Sequence, residues 1–178
     1  MGALDYEELY TLADYRLWKG DWELIDGVAY AMAPSPTVTH QSLSTNIAYT
    51  LRNAIALCEK CLVLSEMDYE ISDNIVVRPD VLLICKEIEE KVDKTPEIIF
   101  EVLSPSTARR DETIKFDIYQ KEGVEYYVLV HPKNRVAKVY KLYKDGRFVK
   151  QGDFDKESFA FEINECQINF DFSTIWRR

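Results

Sequence analysis

Two carboxylates in this chain sit where carboxylates are costly. Asp80 lies in VVRPDVLLIC and Glu101 in EIIFEVLSPST. Short runs of Val, Ile, Leu and Phe bounded by turn residues read as buried strands. A carboxylate inside or at the end of such a strand loses hydration, and a cation or hydrogen-bond donors must compensate it. The fold therefore has to bring compensating charge to both acids. Lys115, on the predicted helix that follows, is a source of it. Two acids and a lysine on adjoining elements point to a divalent-metal site suited to hydrolysis. Mg²⁺ or Mn²⁺ fits that reading, since hard cations prefer oxygen ligands.

The remaining pattern supplies a frame for these strands. A short helix is expected from Tyr6 to Leu12. WELIDGVAYAMAP reads as a hairpin turning at Asp26-Gly27, with Pro34 and Pro36 ending its second strand. From about His40 to Lys60, Leu43, Ile47, Leu51, Ile55 and Cys58 recur every three to four residues, the spacing of an amphipathic helix. Strands are expected at about 61–65, 69–71 and 76–85. After a charged loop, PEIIFEVLS forms another strand, and a helix runs from Ser104 to about Lys121 with Ile114, Ile118 and Tyr119 toward the core. The rest is strand-rich, with a second hairpin at Asp145-Gly146. Mixed order of this kind predicts one α/β domain over 1–178, a central sheet with helices on its faces. The strands bearing Asp80 and Glu101 are its central, doubly covered ones.

Within this frame Asp80 follows Pro79, which favours a strand start, so it lies near the strand mouth. Glu101 and Val102 lie late in their strand, and the Val102 carbonyl could add a metal ligand. Lys115 would orient a water or steady developing charge. Each residue also has a structural explanation. Lys115 pairs with Asp111 at the helical i,i+4 spacing, worth about 0.2–0.5 kcal/mol on a surface. Asp80 could cap a strand through backbone amides. Glu101 is harder to explain away, because Glu is rarely buried without a partner. Glu23, among Trp22, Leu24 and Ile25, is either an inward-facing ligand or an edge charge. His40 opens the long helix as a phosphate contact, a general base or a capping residue. Arg109 and Arg110 form the best local basic patch, beside helix amides that favour phosphate, or else a solvated face.

The charge, 22 basic against 31 acidic residues, is −9. That counts against a protein held on nucleic acid by its overall field, though a local basic groove remains compatible. No apolar stretch approaches the ~18 residues that span a bilayer. The N-terminus lacks a basic-then-apolar leader, so a cytoplasmic protein is expected. Of Cys58, Cys61, Cys85 and Cys166, only the first two have C-x-x-C spacing, and neither His40 nor His131 completes a zinc motif. Reduced, partly buried thiols are expected, with a redox dithiol at Cys58 and Cys61 the less favoured alternative.

Five blocks in order, ELIDGVAYAMAP, PSPTVTHQSL, RPDVLLIC, EIIFEVLSPSTARRDETIKFDIY and GVEYYVLVHP, resemble a restriction-endonuclease-like family of the PD-(D/E)XK nuclease superfamily, abundant in cyanobacteria and other bacteria. The resemblance runs from about Tyr6 to Tyr140. It implies a mixed central sheet flanked by helices, a divalent metal and cleavage of DNA phosphodiester bonds. Asp80 matches the aspartate of the first half-motif, Glu101 the acid of the second, and Glu23 an acid contributed upstream. The second half-motif ordinarily carries lysine two residues after its acid, where this chain has Leu103. The resemblance implies a lysine supplied by the next helix, where Lys115 matches. Restriction-type nucleases often cut as dimers, and Phe159, Phe161, Phe170, Phe172 and Trp176 offer either apolar surface for a homodimer or core. The competing expectation is a nuclease-fold module without catalysis that binds nucleic acid or protein.

Overall fold

The computed structural model describes residues 8–32, 35–163 and 166–177. In chain order its elements are α1 (Leu12–Tyr15), β1 (Trp22–Ile25), β2 (Val28–Ala31), α2 (Val38–Ala54), β3 (Leu62–Ser65), β4 (Tyr69–Ser72), β5 (Ile75–Val77), β6 (Val81–Ile84), β7 (Ile98–Val102), α3 (Ala108–Glu112), α4 (Ile114–Lys121), β8 (Tyr126–His131), β9 (Val136–Leu142), β10 (Phe148–Phe154), β11 (Ser158–Ile163) and β12 (Cys166–Asp171). A 3-10 turn at Phe172–Thr174 follows.

The turn chemistry behaves as the sequence predicts. Asp26 and Gly27 both adopt positive φ (52° and 79°), the conformation a two-residue hairpin of primed type requires. They join β1 to β2 with Ile25 opposite Val28. The second hairpin forms between β9 and β10, with Leu142 opposite Phe148 and Gly146 at φ 76°. The first helix is displaced from its expected position. Tyr6 and Glu7 lie outside the described residues, and the helix begins at Leu12, where Thr11 and Asp14 form a reciprocal capping box. Pro34 also lies outside the described residues; β2 ends at Ala31.

Three sheets result. β10-β9-β8-β7-β6-β3 form a six-stranded sheet, β2-β1-β5-β4 a four-stranded one, and β11-β12 a hairpin. Only the β7–β8 pair of the large sheet is parallel, and its crossover carries α3 and α4. The single strand expected over 76–85 is instead two strands in different sheets, because Pro79 cannot donate to a ladder. β5 ends at Val77, and Asp80 sits immediately before β6. The helix expected from Ser104 to Lys121 is likewise divided. Thr113 (φ −126°, ψ −76°) separates α3 from α4.

The large sheet is covered on both faces, and strand alternation sorts its side chains. Val81, Leu83, Phe100, Val102, Val128 and Val130 face the apolar stripe of α2 and the β11–β12 hairpin. Leu82, Ile84, Ile99, Leu103, Tyr127 and Leu129 face Ile118 and Tyr119 of α4, with Ile25 and Tyr69 of the small sheet. Ile114, expected in this core, is exposed. Of the aromatics considered for a dimer surface, Phe161, Phe170 and Phe172 are fully buried, and Phe159 and Trp176 pack partly against the same core. The choice between surface and core thus falls to core for Phe161, Phe170 and Phe172, while Phe159 and Trp176 are half-buried at its edge.

The cysteines overturn an expectation. Cys58 is bonded to Cys166, and Cys61 to Cys85, so none of the four is a free thiol. The C-x-x-C residues do not pair with each other. α2 ends at Ala54, and turns carry Cys58 and Cys61 toward two different partners. No helix among the described residues is long and apolar enough to cross a membrane.

Candidate active site

The antiparallel register of β6 and β7 places Val81 opposite Phe100. One step outward, Asp80 and Glu101 become neighbours at the sheet's mouth. Their carboxylates are held by each other's strand. The Val102 amide donates to Asp80 Oδ2 at 2.6 Å, and the Asp80 amide donates to Glu101 Oε2 at 3.3 Å. His40, in the first turn of α2, sets its Nε2 3.3 Å from Asp80 Oδ2. That hydrogen bond pulls the imidazole pKa up despite partial burial. His40 therefore ties α2 to the strand carboxylate, beyond opening the helix.

Glu101 points to the face covered by α4. Its Oε1 accepts from Lys115 Nζ at 3.0 Å and from the Tyr119 hydroxyl at 2.9 Å. Lys115 also lies 2.7 Å from Glu23 Oε1 and 3.6 Å from Asp111 Oδ1. Glu23, Glu101, Asp111 and Lys115 are only 1, 2, 2 and 4% exposed. An exposed helix pair is therefore the wrong description of Lys115 and Asp111. The lysine is a buried cation among three carboxylates.

Glu23 comes from β1 in the small sheet. Its carboxylate accepts from the Arg78 amide at 3.0 Å and from Arg110 at 2.8 Å. Arg110 also lies over the ring of Tyr30, 4.6 Å from its centroid, and Tyr30 is the cross-strand partner of Glu23. Of the two expected phosphate contacts, Arg110 is thus turned inward onto Glu23, while Arg109 is exposed.

Burial sets the electrostatics. It pushes the Glu101 carboxyl well up; Lys115 opposes this, and the charges of Asp111, Asp80 and Glu23 reinforce it. Asp111 is raised in the same way, by burial against the pull of Lys115. At Glu23, burial is outweighed by the Lys115 charge and by bonds from Lys115, the Arg78 amide and Arg110, so its carboxyl is held below the ordinary value. Lys115 loses solvation on burial, yet the three acids outweigh the loss and hold it charged. Four acids (Glu23, Asp80, Glu101, Asp111) share the cluster with two permanent cations (Lys115, Arg110) and with His40; burial favours the neutral form at Glu101 and Asp111, and the bonds to Glu23 favour its charged form.

The structure thus gathers Glu23, Asp80, Glu101, Val102, His40, Arg110 and Lys115, and leaves Arg109 outside. Asp111 and Tyr119 belong to the cluster but are missing from the sequence-based candidates. Their spacing from Lys115 and Ile118 (i, i+4, i+7, i+8 from Asp111) is that of one helix face, although Thr113 divides the segment and the Asp111–Lys115 spacing alone fits an exposed pair as well. Among the described residues, no group of three or more His, Cys, Asp or Glu side chains is spaced to hold a metal ion.

The comparisons agree with this architecture. A solved structure described as "a putative nuclease belonging to DUF820 from Anabaena variabilis" superposes with a TM-score of 0.74 at 15% identity, covering 93% of this chain and 97% of that one. At that identity the likeness concerns the fold, a restriction-endonuclease-like mixed sheet flanked by helices. No curated protein matches the sequence. The model of the Uma2 family, described as "Putative restriction endonuclease", matches residues 5–160, and the chain belongs to that family.

Proposed function

We propose that this chain is a divalent-metal-dependent endonuclease that hydrolyses DNA phosphodiester bonds. The observation that carries the reading is the buried lysine: Lys115 Nζ sits 3.0 Å from the carboxylate that shares the sheet mouth with Asp80. A buried ammonium among three acids is a costly arrangement for stability alone, and such clusters mark functional sites.

The donor chemistry suits Mg²⁺ or Mn²⁺. Asp80 and Glu101 offer hard oxygens. Among the described residues, the two contacts to the Asp80 carboxylate both fall on Oδ2. The Asp80 side chain is 16% exposed, so solvent reaches it. An added cation would favour the ionised forms of Glu101 and Asp111 that burial disfavours. Asp80, Glu101 and the Val102 carbonyl would hold it; when bound, it supplies Lewis acidity toward the phosphate and acidifies water. The protein's own groups do the rest. Lys115 orients the attacking water or stabilises the developing charge of the phosphorane. Glu23 positions Lys115 and is itself held by Arg110 and the Arg78 amide. His40 fixes Asp80. Leu103 occupies the usual lysine position of the strand, and the ammonium arrives from α4 instead. Cleavage of both strands calls for two such sites, and a homodimer, testable by sedimentation equilibrium, would provide them.

Purified protein should nick supercoiled plasmid with Mn²⁺ or Mg²⁺, and Asp80→Ala should abolish nicking. Cleavage that survives the substitution rejects the assignment of Asp80. A second reading, a non-catalytic module of the same fold, is favoured by one observation: among the described residues the acids are not spaced as a ready metal cluster. Calorimetry separates the two. Mn²⁺ binding that disappears in Glu101→Ala supports the nuclease, and no binding at millimolar Mn²⁺ supports the module.

A further inference from the structure

Beside the candidate site lies a groove of about 580 Å³ whose lining includes Thr39, Ser42, Pro132, Arg135, Trp176 and Arg177. Among the described residues no acidic side chain lines it, in a chain that carries 31 acids against 22 bases. Its walls come from the same end of the large sheet as the carboxylates, on the face covered by α2, whereas Glu101 points to the opposite face. Thr39 precedes His40, which contacts Asp80, and Pro132 follows the last residue of β8, the strand parallel to the one that carries Glu101.

The C-terminal segment builds its far wall. Trp176 and Arg177 lie beyond the 5–160 stretch that the family model matches. The wall is held firmly. Asn46 of α2 donates to the carbonyls of Ile175 (3.0 Å) and Arg177 (2.8 Å), and Thr50 hydrogen-bonds Thr174 at 2.8 Å. The Trp176 indole N–H donates to the Asp155 carbonyl at 2.7 Å, fixing the ring. The guanidinium of Arg135, on an exposed side chain, lies over that ring at 5.9 Å from its centroid, so a stacked base would take its place there. Arg135 is exposed on the turn between β8 and β9.

A fixed indole beside two arginines, with no acid among the described lining residues, suits an anionic backbone carrying flat aromatic groups. Bases stack on aromatic side chains without sequence preference, and arginines neutralise the adjoining phosphates. A paired duplex keeps its base faces covered. We propose that this groove binds a single-stranded nucleic-acid segment, stacking a base on Trp176 and pairing its phosphates with Arg135 and Arg177, and that it leads the strand to the carboxylates. The proposal rests on the nuclease reading for its direction, and its test does not depend on cleavage.

The full chain is titrated in EDTA against fluorescein-labelled single-stranded DNA and RNA 20-mers and a DNA duplex, by anisotropy. Single strands should bind more tightly than the duplex. Combining Arg135→Glu with Arg177→Glu should weaken binding tenfold or more, and should flatten log K against log salt by about 0.7 per arginine. Trp176→Leu should cost about 5- to 150-fold, whereas Trp176→Phe, which keeps a ring, should retain most of the affinity. Circular dichroism and thermal melts of each variant exclude misfolding as the cause. The DNA and RNA arms identify the sugar, and groove-dependent binding of either upholds the proposal. Failure of single strands to bind, a preference for duplex, or arginine and tryptophan variants that bind like the wild type would overturn it. Retention by an unrelated acidic peptide, with no nucleic-acid binding, would overturn it in favour of a protein partner. Groove-dependent binding without any cleavage would leave this inference standing and count against the nuclease.

Discussion

The two faces of the large sheet solve the burial problem in opposite ways. On one, α2 and the β11–β12 hairpin, which contributes Phe161 and Phe170, close over Phe100 and the alternating valines of β8. Ring centroids there lie 4.8–6.1 Å apart in mostly edge-on and tilted pairs, the arrangement aromatic quadrupoles prefer. On the other face, α4 and the small sheet close over Glu23, Glu101, Asp111 and Lys115 as well as apolar residues. The first face draws stability from area removed from water, which is non-directional and tolerant of small changes. The second depends on a few charges whose desolvation is offset only while each keeps its partner.

The largest effect expected from this contrast is at Lys115. Replacing it by Met strands three buried acids and should cost about 3–5 kcal/mol in urea unfolding, with plasmid nicking lost as well. Wild-type stability in that variant would erase the distinction between the faces. Next is the staple on the apolar face. Cys58 and Cys166 are 108 residues apart, so replacing both by Ser releases a long loop in the unfolded chain. A loss of about 2–4 kcal/mol is expected, seen as a lower urea midpoint under non-reducing conditions. A still smaller change sharpens the tolerance claim. Ile168→Val, wholly within the apolar face, should cost only about 0.5–1.5 kcal/mol and leave nicking intact.

The smallest effect is a change of slope with pH. His131 ends β8, and burial, helped by Lys138, holds its pKa below the ordinary value. The unfolded imidazole, with a pKa near 6.5, then binds protons more readily than the folded one. Its contribution is full above about pH 6.5 and is lost as the pH falls through the depressed folded value. His131→Asn should flatten the stability profile below about pH 6.5 and leave the plateau at pH 8 unchanged, as measured by melts across that range. An unaltered acid limb would remove His131 from the account.

Much of this was legible from local chemistry. Asp26-Gly27 specified a tight hairpin because few residue pairs accept two positive φ angles. The spacing of Leu43, Ile47 and Leu51 specified the buried stripe of α2. The apolar runs around Asp80 and Glu101 identified the strands that carry the site, and the charge rule that makes buried acids need partners singled out Glu101 and Lys115. Elsewhere the local signal misled. The run from Val76 to Cys85 looked continuous, yet Pro79 sends its halves into different sheets. Asp111 and Lys115 had the spacing of a surface pair, and nothing in that spacing says which way the pair faces.

The sequence by itself determined the element types, the central strands and the presence of carboxylates that would have to be compensated. Tertiary structure alone decided which groups compensate them. It brought Glu23 from the small sheet to Lys115, turned Arg110 inward over Tyr30, laid His40 against Asp80, and paired Cys58 and Cys61 with Cys166 and Cys85 instead of with each other. Periodicity and turn preference act over a few residues and can be read along the chain. The partner of a buried charge is chosen by packing between elements 55 to 92 residues apart in the case of Glu23, with Arg78 and Lys115, and only the closed fold contains that choice.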